Sequence, residues 1–282
     1  MKVSSYSIFT SDLWNKGVAY AVKHAKETGF EAVEFLDYHS PNRPELPLTF
    51  NPEEVNAALA ENGLTVSCYS LGVRLQKGEP EETLAYVYRQ IAFAAKVGSP
   101  FFHHTVTLDC SPNENDPTYR EMLKKVLPLT VAIANKCAEY GITCLYEPQG
   151  LYFNGVRGLP GFFKIMRKHC PNVAICGDLG NSYDIDENPV KVIRKMAKYV
   201  QHVHIKDCKY DVEIPGEPPS YTSARGKNIY ECEIGTGHVD LARCFAYLRR
   251  VGYDGYVSFE VQGDDETMKK SIAYVRALAE GK

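Results

Sequence analysis

The sequence lacks the features that mark disulfide scaffolds, membrane proteins and basic nucleic-acid-binding proteins. Its nine cysteines are scattered and form no Cys-x-x-Cys pair, which favours a reducing, cytoplasmic location. No apolar run is long enough to span a bilayer, and the amino-terminal stretch MKVSSYSIFTSD contains no signal-peptide core. A net charge of −3 gives no general attraction to nucleic acid or anionic membranes. We therefore expect a cytoplasmic protein with neither nucleic acid nor membrane as a partner.

The sequence also lacks a glycine-rich phosphate-binding fingerprint, since SIFTSD follows the start of the first strand-like run. This absence argues against a doubly wound open sheet, the main alternative fold. Short apolar runs instead alternate regularly with helix-like segments. The runs are VSSYSIF (3–9), EAVEFL (31–36), LTVSCYS (64–70), SPFFHHT (99–105), ITCLYE (142–147), NVAICGD (172–178), YVQHVHIKD (199–207) and GYVSFEV (255–261). Eight such units predict a parallel sheet closed into a single (β/α)₈ barrel over residues 1–282.

Residues that favour helix starts and stops delimit several of the intervening helices. Asn51 and Pro52 are expected to begin a helix that Gly63 ends. The dipeptide Asp116-Pro117 is expected to open the fourth helix, and Asp240 to cap the helix that precedes the last strand.

Polar residues interrupt four of the late predicted strands near their carboxyl ends. Barrel strands are buried on both faces, so their interiors should be apolar throughout. The fifth to eighth strands nevertheless end in or near Glu147, Asp178, His204 and Glu260, respectively. The carboxyl-terminal mouth is where barrel enzymes keep their chemistry. A carboxylate buried there must be paired with a cation or bound to a metal.

Pairing with Lys or Arg is the better explanation for any one of these carboxylates taken alone. The set as a whole favours a metal, because the same strand ends supply only Lys206 as a counter-cation. Three carboxylates and one imidazole suit Mn²⁺, our first expectation, or Mg²⁺, Co²⁺ or Zn²⁺. We therefore predict that Glu147, Asp178, His204 and Glu260 bind one divalent ion.

The seventh strand places three polar residues on one face. Its two-residue period aligns His202, His204 and Lys206 towards the barrel interior, while Val203 and Ile205 suit the helix-packing side. His202 would lie one layer below the ligand His204, as a supporting or core histidine. Lys206 either contacts a substrate oxygen or balances the acids.

Other polar residues near the mouth are weaker candidates. His103 and His104 end the fourth strand, and the run FFHH has no alternation that shows which of them points inward. We assign a substrate hydrogen bond to His104. Glu34, near the end of the second strand, either orients the substrate or pairs with a neighbour such as Arg74. The remaining histidines are expected to be solvated on helices or loops; they are His24, His39, His169 and His238.

The segment 208–233 is too long for an ordinary connection between a strand and a helix. It follows the seventh strand and should overhang the mouth, as a substrate-covering lid or as a contact in a homodimer or homotetramer. Lys209, Arg225 and Lys227 bring positive charge, and Arg225 is a candidate for binding substrate. The segment also carries five acids, which favours a ketose without a phosphate group; they are Asp211, Glu213, Glu217, Glu231 and Glu233.

Five motifs carry a resemblance to a known family. They are Tyr-Glu-Pro (146–148), Gly-Asp-Leu-Gly-Asn (177–181), His-Val-His-Ile-Lys-Asp (202–207), Gly-Thr-Gly-His-Val-Asp (235–240) and Gly-Tyr-Asp-Gly-Tyr-Val-Ser-Phe-Glu (252–260). In this order and spacing the chain resembles the sugar phosphate isomerase/epimerase family of the xylose isomerase-like TIM barrels. D-tagatose 3-epimerase-like and hydroxypyruvate isomerase-like enzymes belong to that family.

The resemblance implies a role for each of the mouth residues. Glu147, Asp178, His204 and Glu260 match the metal ligands, and the two glutamates match the acid/base pair. One glutamate removes the proton next to the carbonyl to give an enediolate; the other returns a proton to the opposite face for epimerisation, or to the neighbouring carbon for isomerisation. Asn181 stands where many relatives have a histidine, so it is expected to contact substrate. That replacement argues against a multi-zinc phosphodiesterase of the endonuclease IV type.

The resulting prediction is a metal-dependent isomerase or epimerase acting on a ketose or sugar phosphate. A dehydratase of the inosose or dehydroshikimate kind is one alternative, because related barrels eliminate water after the same proton abstraction. A non-catalytic sugar-binding barrel is the other.

Overall fold

Eight parallel strands close into a barrel in the computed structural model of the protein, which describes residues 1–38, 50–109, 112 and 116–282. The barrel strands are β1 (Lys2–Ser5), β2 (Ala32–Tyr38), β3 (Thr65–Gly72), β4 (Phe101–His104), β5 (Thr143–Tyr146), β6 (Val173–Asp178), β7 (Val200–Ile205) and β11 (Tyr256–Phe259). Their order around the barrel is β1-β11-β7-β6-β5-β4-β3-β2. All eight predicted strands are present, and the predicted fold class is confirmed.

Helices surround the strands. They are α1 (Ser7–Lys16), α2 (Val18–Thr28), α3 (Pro52–Asn62), α4 (Pro80–Lys96), α5 (Tyr119–Glu139), α6 (Gly155–His169), α7 (Pro189–Met196), α8 (Leu241–Arg250) and α9 (Asp265–Glu280). Short 3₁₀ turns cover Asn181–Ile185 and Ala197–Tyr199. Within the described ranges, no helix combines the length and apolar character that crossing a bilayer requires.

Local capping chemistry explains the helix boundaries. The Asn51 side chain accepts a hydrogen bond from the Glu53 amide (2.9 Å), and Gly63 ends α3 in a left-handed conformation, as predicted. Asp240 likewise caps α8. The start predicted for the fourth helix at Asp116-Pro117 is early by two residues, because Thr118 forms a reciprocal capping box and α5 begins after it.

The first strand is shorter than the apolar run 3–9 predicted. It ends at Ser5, and the residues from Ser7 onward belong to α1. This helix buries Phe9 and Leu13, so the apolar character of the run reflects helix packing rather than a longer strand.

Two apolar clusters form the core. The larger one lies between the strands and the helices and includes a run of neighbouring rings on β2, β3 and β4, namely Phe35, Tyr69 and Phe102. The smaller one comprises Cys68, Leu145, Ala174 and Cys176. By the two-residue period of strands, its members share the inward face with Ser70, Glu147 and Asp178. The barrel interior below the mouth therefore combines this apolar cluster with buried polar side chains such as Glu34, His202 and Ser67.

The long segment after β7 is ordered as a small antiparallel sheet. Its strands are β8 (Asp207–Tyr210), β9 (Tyr221–Thr222) and β10 (Asn228–Cys232), in the order β8-β10-β9. The ring of Tyr210 stacks on Tyr183 with centroids 4.3 Å apart, and its hydroxyl donates to Asp186 at 2.7 Å. The segment 208–233 thus contains a small sheet at the end of the barrel, with irregular connections between its strands.

Candidate metal centre and active site

Glu147, Asp178, His204 and Glu260 converge at the mouth, with one ligand-type atom from each lying within 4.8 Å of all the others. The register of the parallel strands explains this convergence. Asp178 lies opposite His204 between β6 and β7, and His204 lies opposite Ser258 between β7 and β11. Glu147 directly follows β5, so the four groups form an arc along the order β5-β6-β7-β11.

The carboxylate oxygens in this group are well suited to a cation. Asp178 Oδ1 accepts hydrogen bonds from the amides of Gly180 (2.8 Å) and Asn181 (2.6 Å), which fix the carboxylate orientation. Asp178 Oδ2 and Glu260 Oε2 are buried and accept no hydrogen bond. Buried oxygens in that state are costly unless a cation binds them. The donor set therefore fits a divalent ion such as Mn²⁺, Mg²⁺, Co²⁺ or Zn²⁺.

Lys206 is a buried cation beside these acids. Its Nζ lies 3.0 Å from Glu260 Oε1 and 3.6 Å from Asp178 Oδ2, and it donates to Asn181 Oδ1 at 2.9 Å. A Cβ at Gly180 would overlap the Lys206 side chain, so glycine is needed for this approach. Of the two roles expected for Lys206, charge balance is the one seen here, and a substrate contact stays a prediction. The Asn181 side-chain nitrogen is buried with no hydrogen-bond partner.

The acids of the cluster differ in protonation. Burial, reinforced by the negative charges of Glu260 and Glu147 and opposed by Lys206, raises the pKa of Asp178 to about 7. Burial also disfavours the charged form of Glu147, but His103 and His204 outweigh it and hold the pKa of Glu147 well below its usual value. One acid of the cluster is therefore readily protonated near neutral pH, and another stays ionised.

Glu34 lies beneath the cluster with both of its oxygens occupied. Oε2 accepts from His202 Nε2 at 2.6 Å, and Oε1 accepts from His204 Nε2 at 2.9 Å and from the Ser70 hydroxyl at 2.6 Å. The residue is fully buried. The alternative in which Glu34 pairs with Arg74 is wrong. Glu34 instead accepts hydrogen bonds from His202 and His204 of β7, which are distant in sequence.

A family model described as "Xylose isomerase-like TIM barrel" matches residues 22–278. The chain belongs to the xylose isomerase-like TIM barrel family. Among curated proteins, it is 26% identical over 279 residues to a ketose 3-epimerase of Arthrobacter globiformis, covering 92% of this chain and 83% of that protein. It is 28% identical over 89 residues to an inosose dehydratase of Clostridium beijerinckii, covering 31% and 30% of the two chains.

A solved structure shows the same fold over the whole barrel. The D-allulose 3-epimerase of Methylomonas sp. superposes with a TM-score of 0.75 and 16% identity, covering 99% of this chain and 98% of that chain. The similarity to that structure supports the xylose isomerase-like barrel and its closed sheet.

Of the two histidines that end β4 in this xylose isomerase-like barrel, His103 rather than His104 lies beside the proposed metal ligands. His103 lies opposite Leu145 on the inward face, and its Nε2 is 3.4 Å from Glu147 Oε1. His104 points the other way, bonds the carbonyl of Thr105 (2.9 Å) and packs against Tyr146. The structure thus does not bring His104, the predicted substrate contact, into the group of metal ligands. Because Phe101 and Phe102 are both apolar, only the register with β5 distinguishes the two histidines.

Two aromatic residues that sequence reasoning did not select also reach the site. The Tyr6 ring, at the start of α1, stacks on His204 with centroids 4.9 Å apart and an interplanar angle of 23°. Tyr221 of β9 is close enough to Lys206 that each influences the pKa of the other; burial, opposed by Lys206, raises the pKa of Tyr221 well above its usual value. The β8–β10 sheet therefore contributes at least Tyr221 to the mouth, which supports the expectation that this segment overhangs it.

The remaining candidates lie away from the cluster. The Arg225 side chain is exposed, and its backbone amide donates to Asp186. Lys227 forms an ion pair with Asp211 at 2.6 Å. Arg74 pairs with Asp109.

The four outlying histidines differ from one another. His24 is only partly exposed, because its ring bonds Asp12 and Asp265, so full solvation was the wrong expectation for it. His238 is exposed, as expected, and its Nδ1 lies near both the amide (3.2 Å) and the carbonyl (3.1 Å) of Tyr210, of which it can bond only one at a time. His169 is exposed, as expected, and His39 lies outside the described residues.

Proposed function

We propose that the protein is a divalent-metal-dependent sugar isomerase/epimerase, with 3-epimerisation of a ketose as its reaction. The observation that carries the proposal is the convergence of three carboxylates and His204 at the barrel mouth, with two carboxylate oxygens left without hydrogen bonds. Similarity to a ketose 3-epimerase along 92% of the chain supports the choice of reaction.

The positions of Glu147 and Glu260 support a two-base reaction. They lie at the two ends of the arc, after β5 and after β11, with Asp178 and His204 between them. A substrate bound over the arc would therefore present different faces to the two carboxylates. One carboxylate would remove the proton next to the carbonyl, and the other would return a proton to the opposite face. A bound divalent ion would supply electrostatic stabilisation of negative charge developing on the substrate oxygens.

The surrounding residues would set the charge and orientation of the reactants. His103 and His204 outweigh the effect of burial and keep Glu147 ionised, so its carboxylate can accept a proton. Lys206 brings a positive charge 3.0 Å from Glu260. The unpartnered Asn181 amide nitrogen is a donor available to a substrate hydroxyl.

The charges around the mouth favour a ketose without a phosphate group. A phosphate is usually bound by free arginine or lysine side chains. Here Lys206 is paired with acids, Lys227 with Asp211, and Arg225 is exposed on the β8–β10 sheet. We therefore propose neutral ketoses as the substrate class.

The second candidate function is a dehydratase, which the partial similarity to inosose dehydratases favours. Incubation of the Mn²⁺-loaded protein with a panel of ketoses, ketose phosphates and inososes, followed by NMR and mass spectrometry, separates the candidates. An isomeric product of unchanged mass from a neutral ketose supports the proposal, and loss of water supports the dehydratase. Binding of a sugar without any conversion would identify a non-catalytic sugar-binding barrel.

A further inference from the structure

Glu34 is a fully buried acid below the candidate metal centre, and sequence reasoning left its role open. Its carboxylate is 0% exposed and receives three hydrogen bonds, from Ser70, His202 and His204. These three donors lie on the adjacent strand β3 and on β7, across the barrel. A carboxylate only accepts hydrogen bonds, so both histidines must present an N–H to it.

The contact with Glu34 has a direct consequence for His204. If Nε2 carries the proton that is donated to Glu34, a neutral imidazole has its lone pair on Nδ1. That atom lies 3.1 Å from Glu147 Oε2 and 3.7 Å from Glu260 Oε2, within the proposed metal group. The other nitrogen points away from the mouth, down towards Glu34.

The hydrogen bonds of Glu34 also indicate which side chains bind the ion, because two of the possible ligand groups share His204. Glu34, His202 and His204 also lie close enough to one another to hold an ion. The atoms of these three residues that face one another are already paired, because both Nε2 atoms and both carboxylate oxygens take part in hydrogen bonds. The mouth group instead contains Asp178 Oδ2 and Glu260 Oε2, which have no hydrogen-bond partner. The ion is therefore expected at Nδ1 of His204 and not at Nε2.

Glu34 is also connected to Glu147, on the other side of the metal group, through a series of side-chain contacts that leads back to His204. The Ser70 hydroxyl donates to Glu34, so it accepts from His103 Nδ1, 3.0 Å away. His103 Nε2 faces Glu147 at 3.4 Å, and Glu147 returns to His204 at 3.1 Å. Glu34 therefore bonds His204 directly and reaches Glu147 only through the contact with His103, whose Nε2 makes no hydrogen bond.

From this geometry we propose that Glu34 is a positioning residue that fixes the ring and tautomer of His204, so that His204 binds the ion through Nδ1. The inference rests on the proposed metal centre and deepens it. Outer carboxylates of this kind raise ligand basicity and orient the imidazole, and their loss typically weakens metal binding by about 10–100-fold.

Two substitutions that keep the approximate size of the Glu34 side chain distinguish the effect of its hydrogen-bond acceptors from the effect of its charge. Glu34→Met removes both acceptor atoms and leaves His204 Nε2 without a partner, so Mn²⁺ affinity should fall by about 10–100-fold. Glu34→Gln keeps one acceptor oxygen, which can still serve Ser70 and His204, while its amide group donates to His202. This variant should bind Mn²⁺ more tightly than Glu34→Met and more weakly than the unaltered protein.

The matched control is Ser67→Ala. Ser67 is also buried inside the barrel, where it bonds Ser4 at 2.7 Å and the Val33 carbonyl at 3.1 Å, and these partners do not touch the metal group. Its loss should leave Mn²⁺ affinity within about threefold of the unaltered value, since only a remote hydrogen bond is removed.

Calorimetric titration with Mn²⁺ measures these affinities, and long-range ¹H–¹⁵N spectra of the Zn²⁺-loaded, ¹⁵N-histidine-labelled protein identify the bound nitrogen. We expect Nδ1 of His204 to bind the ion and Nε2 to keep its proton, with His202 alone changing tautomer in Glu34→Gln. Binding through Nε2, near-normal affinity of Glu34→Met, an equal loss in Ser67→Ala, or no metal binding at all would each overturn the proposal. If Glu34→Met does not fold, the Mn²⁺ affinity of Glu34→Gln and the tautomers of His202 and His204 in that variant test the proposal instead. A protein that meets these expectations yet converts no sugar would support the role of Glu34 and contradict the proposed reaction.

Discussion

The ammonium group of Lys206 lies 3.0 Å from Oε1 of Glu260, so a buried cation already occupies one side of the group proposed to bind a divalent ion. The two positive charges would repel one another when the ion is bound. Lys206 also stabilises the acids when the ion is absent, since it lies 3.6 Å from Asp178. The residue is therefore expected to oppose metal binding while serving the substrate.

Replacement of this lysine tests that expectation. Lys206→Met should bind Mn²⁺ at least as tightly as the unaltered protein, by up to about tenfold, which corresponds to relief of about 1.4 kcal/mol of repulsion. Its turnover should nevertheless fall, because the charge beside Glu260 and the contact with Asn181 are lost. Metal titration and steady-state kinetics give the two values. Much weaker metal binding by Lys206→Met would show that the lysine supports the ion instead.

The ligand assignment predicts a strong effect of Asp178 and His204 on metal content. Asp178→Asn combined with His204→Ala should abolish stoichiometric Mn²⁺ binding, because two of four donors are lost. Elemental analysis of protein dialysed against limiting metal measures the content. Asp109→Asn, which alters a surface acid paired with Arg74 and Lys77, is the control and should bind metal normally. Undiminished binding by the double variant would remove these residues from the site.

The raised pKa of Asp178, about 7, predicts how stability of the metal-free protein depends on pH. In the unfolded chain this group titrates near 3.9, so the folded protein holds the proton more tightly. The resulting stabilisation is complete below about pH 4 and is lost as the pH rises through about 7. Urea unfolding at pH 5 and pH 8 should show this loss in the metal-free protein but not in Asp178→Asn. Equal pH dependence of the two proteins would contradict it.

The same group predicts the pH dependence of metal binding. The ion requires the ionised Asp178 carboxylate and an unprotonated Nδ1 on His204, whose pKa burial lowers but Cys176 and Glu34 raise to well above its usual value, so apparent Mn²⁺ affinity should rise with pH through 7 and keep rising above it. Calorimetry in buffers of different ionisation enthalpy should detect protons released on binding at pH 6. Binding with no proton release at that pH would argue that Asp178 is already ionised.

The two glutamates should affect turnover far more than stability. Glu147→Gln and Glu260→Gln keep the side-chain size, but each removes a group that transfers a proton. We expect turnover to fall by about 10²–10⁴-fold in each variant. Metal content and unfolding midpoints, measured on the same preparations, show whether the loss arises from metal binding or folding. Near-normal turnover by both variants would exclude the two-base reaction.

Much of the fold could be predicted from the local sequence pattern, because buried parallel strands are apolar runs of similar length separated by capped helices. The four proposed ligands followed for the same reason: Glu147, Asp178, His204 and Glu260 are conspicuous as polar residues at the ends of apolar strands. Their spatial convergence is a direct result of parallel registration, in which the carboxyl ends of all strands meet at one edge.

The parts that sequence reasoning missed depend on distant contacts. Two of the partners of Glu34 are His202 and His204, 168 and 170 residues away, whereas the local pattern suggested Arg74. The run FFHH carries no alternation, so only its register with β5 shows that His103 faces Glu147. The β8–β10 sheet consists of short strands in a proline-containing segment, which leaves little periodicity to detect. In each case the deciding information is the pairing of strands rather than the composition of one segment.

The central claim is that Glu147 and Glu260, acting with a divalent ion at the barrel mouth, exchange a proton next to a ketose carbonyl. The most direct measurement is NMR of a ketose incubated in D₂O with metal-free protein, Mn²⁺-reconstituted protein and the two Gln variants, after quenching and removal of Mn²⁺. We predict deuterium at a carbon flanking the carbonyl, together with the epimer, only when Mn²⁺ is restored. We also predict that one variant still exchanges deuterium without forming epimer. Epimer formation without deuterium uptake, or equal uptake by metal-free protein and both variants, would contradict the account.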